Sequence, residues 1–327
     1  MQLRSAFLAS LALAATCANL ESASGQVYPS RPITLVVPLA AGGPIDTTAR
    51  IVAGGMQASL GQPIIIENIT GASGSIGVGR VVRAAPDGYT FGIGYVGTHV
   101  FNGITYSLSY DLLNDLEPVS LLVTNPLLIV ARKKMPAKDL RELIAWLKAN
   151  PGKALQGTTG VGGSSEIAGV FFQKQTDTRY QLVPYRGAAP MMQDLMAGHI
   201  DLMMDFAANS IPQVRAGTIK AYGVTAKTRL LSAPDIPTLD EAGLPGFDIS
   251  AWYGLWLPKG TPKNITAKLN AAVIDALAES RVRARLADQS QEIFPPDLQT
   301  PEALRAFQRA EIEKWWPIIK AAGIKAE

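Results

Sequence analysis

From Ile33 onward, short runs of β-branched and other apolar residues alternate with stretches whose apolar positions recur at helical spacing. That alternation is the signature of βαβ units built on a parallel sheet. Residues 33–37 read as a buried strand and 47–60 as a helix, with Ile51, Val52, Met56 and Leu60 on one face and Gly61 as its stop. A strand at 64–67, a helix at 75–85 ended by Pro86-Asp87-Gly88, and a strand at 89–96 complete the first set. A second set starts with a strand at 127–131 and a helix at 139–149, whose Leu140, Leu143, Ile144 and Leu147 share a face. It continues with a strand through Leu155, a helix at 165–174, a strand at 181–185, a helix at 190–197 and strands at 200–206 and 220–225. After a strand at 252–257, helical patterns cover 261–288 and 301–322. The pattern predicts an α/β chain of two lobes. Residues 26–126 plus 252–327 form the first and 127–251 the second, with the C-terminal helices packed back on the first.

The first 25 residues stand outside this pattern. Arg4, the apolar run 6–15 broken only by Ser10, and the small residues Ala23-Ser24-Gly25 read as a signal peptide cleaved before Gln26. The apolar core is shorter than the roughly 20 residues a membrane-spanning helix needs. Cys17, the single cysteine, falls inside it, so the mature chain is expected to carry no disulfide, thiolate metal site or cysteine nucleophile. Acylation at Cys17 is the minor reading, because Thr16 is an unusual residue before a lipidated cysteine. These features predict export to the periplasm. Hydrophobic residues make up 47% and charged residues 17% of the chain, and the net charge of +3 comes with no basic run. Disorder and nucleic-acid binding are both disfavoured.

Two strand-to-helix loops carry most of the candidate chemistry. In Pro38-Leu39-Ala40-Ala41-Gly42-Gly43-Pro44-Ile45-Asp46, Pro44 suits the first helical position and Asp46 the third, where a carboxylate reaches free backbone donors. Gly42 and Gly43 leave N–H groups bare at the positive end of the helix dipole, an anion site in the making. The second loop, Thr158-Thr159-Gly160-Val161-Gly162-Gly163-Ser164-Ser165-Glu166, repeats the logic with two added hydroxyls. Leu39, Ala40, Ala41, Gly42 and Gly43 from one lobe, and Val161, Gly162, Gly163, Ser164 and Ser165 from the other, are the candidate ligand contacts. Either loop alone is as readily geometric as functional. The pair, on two lobes facing one cleft, favours a carboxylate gripped from both sides. Glu166 either caps its helix by reaching back to Gly163 or faces the cleft.

Enzyme signatures are scarce. Gly92-Ile93-Gly94-Tyr95-Val96-Gly97 fits G-x-G-x-x-G, but no clear helix is expected at Gly97, so small strand residues are the simpler reading. His199 belongs to a surface turn; His99, at a strand end, either faces the cleft as a donor or does not. Neither histidine has a second ligand at metal spacing, and no cofactor motif is present. Asp205 closes a strand and reaches the cleft as a lone carboxylate, without the partner that acid–base catalysis needs. Met191, Met192, Met203 and Met204 read as core filling.

Further ordered motifs are Tyr28-Pro29-Ser30-Arg31-Pro32-Ile33, Arg50, Glu67-Asn68 with the glycines of 71–77, Pro86-Asp87-Gly88-Tyr89-Thr90 and Pro184-Tyr185-Arg186-Gly187. Ile236-Pro237-Thr238-Leu239-Asp240-Glu241-Ala242-Gly243 and Trp252-Tyr253-Gly254 follow. Together with the Pro38 loop and Asp205, they make the chain resemble the extracytoplasmic receptors of tripartite tricarboxylate transporters, the Bug receptors, over essentially all its mature length. The resemblance implies a two-lobed periplasmic-binding-protein fold, type II-like, with two crossover strands at 127–131 and 252–257. It implies a cleft in which both loops hold a ligand carboxylate, with Asp205, Arg186 and the segment around Thr98 and His99 contributing. It also implies di- or tricarboxylates, acidic amino acids or aromatic acids as ligands, and the membrane subunits of such a transporter as partners. A monomer without cofactor is expected. Two departures stand out: Ala41 replaces the family's usual proline, and Glu166 replaces its usual histidine. A periplasmic sensor and an exported hydrolase or isomerase are the competing readings.

Overall fold

The computed structural model describes residues 28–325 apart from 161, 186 and 248. The signal-peptide and Cys17 readings, Val161 and Arg186 therefore lie outside the described residues.

The first parallel unit is β1 (Ile33–Val37), α1 (Pro44–Leu60), β2 (Ile64–Asn68), α2 (Ser75–Val82) and β3 (Thr90–Tyr95). β1 lies between β2 and β3, parallel to both. Its Ile33, Leu35, Val36 and Val37 are buried, as a strand covered on both faces requires. The helix α1 buries Ala49, Val52, Ala53 and Met56 against it and ends at Gly61, whose φ of 64° lets its N–H close on Gln57 O. Beyond β3 a wide helical turn over Gly97–Phe101 leads into α3 (Asn102–Thr105), so a helical segment does open at Gly97. The glycines before it serve packing. A Cβ on Gly92 would lie 2.7 Å from Val81, and one on Gly94 would collide with the His99 ring.

Next comes β4 (Leu116–Arg132), then α4 (Leu140–Ala149), β5 (Leu155–Thr158), α5 (Ser164–Thr176), β6 (Gln181–Pro184), α6 (Ala188–Ala197), β7 (Leu202–Phe206), α7 (Ala207–Arg215) and β8 (Ile219–Val224). β5 runs parallel to β6 and β7, while β4 runs antiparallel to β7 and β8. The chain returns through β9 (Ser250–Pro258), antiparallel to β3 and β4, and closes with α8 (Lys263–Ala278), α9 (Ser280–Asp288), β10 (Glu292–Ile293) and α10 (Pro301–Ala321). The strand order is β2-β1-β3-β9-β4-β7-β5-β6. This is a mixed α/β, two-lobed periplasmic-binding-protein fold.

Both crossings are longer than the pattern suggested. β4 spans 17 residues; its first part pairs with β9 and its last with β7 and β8. Pro118 and Pro126 hide its first part in the sequence, since proline removes a ladder donor. The strand accommodates Pro118 at a register shift opposite β9. The 261–288 pattern divides into α8 and α9 at Glu279, whose backbone is extended. An unforeseen helix, α7, contains Pro212 and begins directly at the end of β7.

The two halves touch away from the sheet. Trp315 of α10, 1% exposed, meets Phe101 at 5.8 Å on its own side and Phe171 of α5 at 5.3 Å on the other. Its Nε1 and that of Trp252 both donate to Glu311, at 3.2 and 3.1 Å. The hydroxyls of Ser232 and Ser290 make a second contact at 3.0 Å.

Candidate functional site

Between the halves lies a cavity of about 380 Å³ on which four helix N-termini converge. Pro44 and Ile45 open α1, Ser164 and Ser165 open α5, Ala188 opens α6, and Phe206 precedes α7; all line the cavity. Each start carries backbone N–H groups with no intrahelical acceptor and the positive end of a dipole. Leu39, Leu127, Met204, Tyr95 and Tyr253 supply apolar walls. Among the described residues lining the cavity there is no lysine, arginine or histidine, and Asp205 is the one carboxyl group. The oriented backbone at these helix starts is the kind of group that attracts an anion at other helix termini.

The two loops are built alike. At α1, Gly42 N donates to Asp46 Oδ2 at 2.8 Å, fixing the loop from the third helical position. Burial would raise the Asp46 pKa, but hydrogen bonds from Arg50, Gly42 and Asn68 hold it below the usual carboxylate range. At α5, Gly162 N donates to Glu166 Oε2 at 2.7 Å, the same reach-back. Glu166 therefore caps its loop, one residue earlier than the expected Gly163, and does not line the cavity. Burial raises its pKa against the opposing Gly162 bond. Neither N-cap glycine, Gly43 or Gly163, carries a side-chain cap; at α5 the Glu166 N–H turns back to Gly163 O at 3.0 Å, which leaves the Ser164 and Ser165 N–H groups as that helix's open first-turn donors among the described residues.

The two serines differ. Ser165 Oγ accepts from Thr159 N at 2.8 Å and meets Thr159 Oγ1 at 3.0 Å, so it braces the loop. Ser164 Oγ is 6% exposed by residue, lines the cavity and has no hydrogen-bond partner among the described residues. A buried hydroxyl left open costs about 1–3 kcal/mol, so the start of α5 carries an unsatisfied polar group at the cavity wall.

Asp205 lies at the far end of β7, 3% exposed. Ser210 Oγ donates to its Oδ2 at 2.9 Å, and Asn209 Nδ2 reaches its Oδ1 at 3.4 Å. Burial pushes its pKa up to about 6, against the pull of the Ser210, Asn209 and Phe206 hydrogen bonds. Tyr253 OH accepts from Asn125 Nδ2 at 3.0 Å and is itself at the cavity wall.

Of the residues expected at the cleft, Leu39, Gly43, Gly163, Ser164, Ser165 and Asp205 line the cavity. Ala40, Ala41 and Gly42 form the exposed tip of their loop instead. Gly162 is buried opposite Thr105, whose Oγ1 would lie 3.3 Å from an added Cβ. Thr98 and His99 do not line the cavity. His99 turns away from the cleft and stacks on Trp256, centroids 3.7 Å apart, with burial holding its pKa down at about 3. Thr98 is fully buried, its Oγ1 2.9 Å from His99 Nδ1 and 3.1 Å from the Tyr95 N–H it accepts from. The wide turn after β3 rotates both side chains into the core, and no residue spacing announces such a turn. The cavity residues not expected from the sequence, such as Tyr95, Tyr253, Met204 and Asn209, come from the end of β3, from within β9 and β7, and from α7. Among the described residues no group of three or more His, Cys, Asp or Glu side chains is placed to hold a metal.

Two α/β lobes closing on a cavity at helix N-termini define a solute-binding protein. The chain belongs to the family described as Tripartite tricarboxylate transporter family receptor, which it matches over residues 48–324. A relative from Agrobacterium vitis, a UPF0065 protein, is 40% identical over 98% of this chain and 93% of its own. MatC from Rhodopseudomonas palustris, solved with bound malate, is 40% identical, with a TM-score of 0.79 over 89% of this chain and 100% of its own. A second R. palustris protein, Rpa4515, solved with adipate, is 32% identical, with a TM-score of 0.82 over 91% and 99%. Among the described residues no helix is long and apolar enough to cross a membrane.

Proposed function

We propose that this receptor works in the periplasm, captures a small carboxylate between its lobes and delivers it to the membrane subunits of a tripartite tricarboxylate transporter. The observation that carries the ligand class is Ser164. Its buried Oγ, without a partner among the described residues, belongs to the first turn of α5, which lines the same cavity as the start of α1, and no described residue of that lining is cationic. Such a site suits an anion that accepts several hydrogen bonds at once. The acids bound to MatC and Rpa4515 belong to the same class.

Capture without turnover is the reading the receptor family favours, and among the described cavity residues Asp205 has no second carboxyl group or histidine to pair with. Thermal-shift screening of ligand-stripped protein against small organic acids tests this reading. Stabilisation by a class of carboxylates is expected, with the bound acid recovered unchanged. A flat response across the panel, or conversion of an acid by the purified protein, would overturn it.

A further inference from the structure

The cavity is polarised. At α1 and α5 it offers donors: free first-turn N–H groups and the Ser164 hydroxyl. At the start of α7 it offers an acceptor, the Asp205 carboxylate. A carboxylate accepts about four hydrogen bonds. Within the fold Asp205 receives one good side-chain bond, from Ser210 Oγ at 2.9 Å, a long one from Asn209 Nδ2 at 3.4 Å, and the Phe206 N–H. Acceptor capacity therefore remains on a group that is 3% exposed and forms part of the cavity wall. Between the two ends the walls are mostly hydrocarbon and aromatic: Leu39, Ile45, Leu127, Met204 and Phe206.

We infer that the ligand is a bifunctional acid, whose carboxylate meets the α1 and α5 termini and whose hydroxyl, amine or amide N–H donates to Asp205. This rests on the receptor reading above and narrows it. A second ionised carboxylate at the Asp205 end would face a buried like charge, against which the described lining sets only the starts of α6 and α7 and no cationic side chain. An apolar end would leave Asp205 desolvated without a new donor, the costly half of a broken pair. A hydroxyl or ammonium there fills the open acceptor. Asn209, on the exposed side, makes the weaker bond and yields to a better donor.

The test is titration calorimetry of the ligand-stripped full-length receptor at about pH 7.5 with a matched series of straight-chain acids of about four to eight carbons. At each length, the ω-hydroxy and ω-amino acids are compared with the dicarboxylate and the plain alkanoate. The donor-bearing acids are expected to bind about tenfold tighter or more than their partners, the difference one hydrogen bond to a charged group makes. In Asp205→Asn that preference collapses. In Asn209→Ala, which removes the competing 3.4 Å donor to Asp205 at the exposed side of the cavity, it persists or widens, and a preference lost in this folded variant would overturn the inference even where Asp205→Asn fails to fold. Dicarboxylates binding as tightly as donor-bearing acids, with or without proton uptake, would overturn the inference and leave the receptor reading intact. So would an unchanged ranking in folded Asp205→Asn. No binding by any acid in the series, with none in the wider thermal-shift panel, would overturn both.

Discussion

Phe171 of α5 and Trp315 of α10 meet edge to face across the two halves, their ring centroids 5.3 Å apart. Phe171 also stacks on Phe247 at 5.1 Å, so it is held from its own side while its edge contact crosses the gap. The same helix begins with Ser164 at the cavity. Separation of the halves has to break the Phe171–Trp315 contact and move the Ser164 donors together. An aromatic pair of this kind is worth about 0.5–1.5 kcal/mol beyond its buried area. Phe171→Ala is therefore expected to weaken ligand affinity by roughly two- to tenfold, through a lower closed population. Small-angle scattering should show a larger radius of gyration for the ligand-free variant than for the wild type. An unchanged radius and affinity would remove the contact from the closing equilibrium.

Ser164→Ala separates binding from folding. The hydroxyl has no partner within the described protein, so its removal should leave the ligand-free melting temperature unchanged or slightly higher. Affinity for the captured acid should fall by about five- to tenfold, read by titration calorimetry. A loss of stability with affinity intact would mean that the hydroxyl serves the fold.

Gly43→Val fills the cavity mouth without straining the chain. Gly43 has φ −78° and ψ 170°, an extended conformation open to any residue and favoured before Pro44. A Cβ there would lie 3.5 Å from Ala40 O, an ordinary contact. Affinity is expected to drop at least about tenfold, while the loss of a glycine cap costs the helix on the order of 1 kcal/mol. Retained affinity with normal melting would place the ligand away from α1.

Two buried groups give the fold opposite pH dependences. The His99 pKa of about 3 in the folded chain lies below its ordinary 6.5, so its contribution is fully present above pH 6.5 and lost as pH falls toward 3. The Asp205 pKa of about 6 lies above its ordinary 3.8, so its contribution is greatest below 3.8 and lost as pH rises through 6. Asp205→Asn should raise ligand-free stability at pH 7.5, by on the order of 2 kcal/mol, and bring no gain near pH 3.5. His99→Phe should flatten the acid-side decline without changing the slope set by Asp205. Urea denaturation at several pH values measures both; a D205N gain that persists at low pH would contradict the assignment.

The loops were legible because their markers are local. Pro44, Gly61 and the glycine pairs set helix starts and stops through backbone geometry alone, and the acidic residues at 46 and 166 sit where caps reach back. What escaped is set by tertiary pairing. The first part of β4 carries prolines that its register tolerates only beside β9, and α7 carries Pro212. Thr98 and His99 follow the end of β3, inside the turn over Gly97–Phe101. The direction of their side chains depends on a wide turn packed against Trp256, a contact 157 positions away in the chain from His99. Tyr95 and Tyr253 reach the cavity because β3 and β9 pair antiparallel, a pairing the sequence pattern does not contain.

The most direct measurement is a co-crystal structure of the receptor with the tightest-binding acid from the screen. The expected result is a ligand carboxylate between the halves, about 2.7–3.2 Å from Ser164 Oγ and the first-turn N–H groups of α5, and facing α1. A carboxylate seated outside this cavity, or turned away from both helix starts, would contradict the assignment of the site.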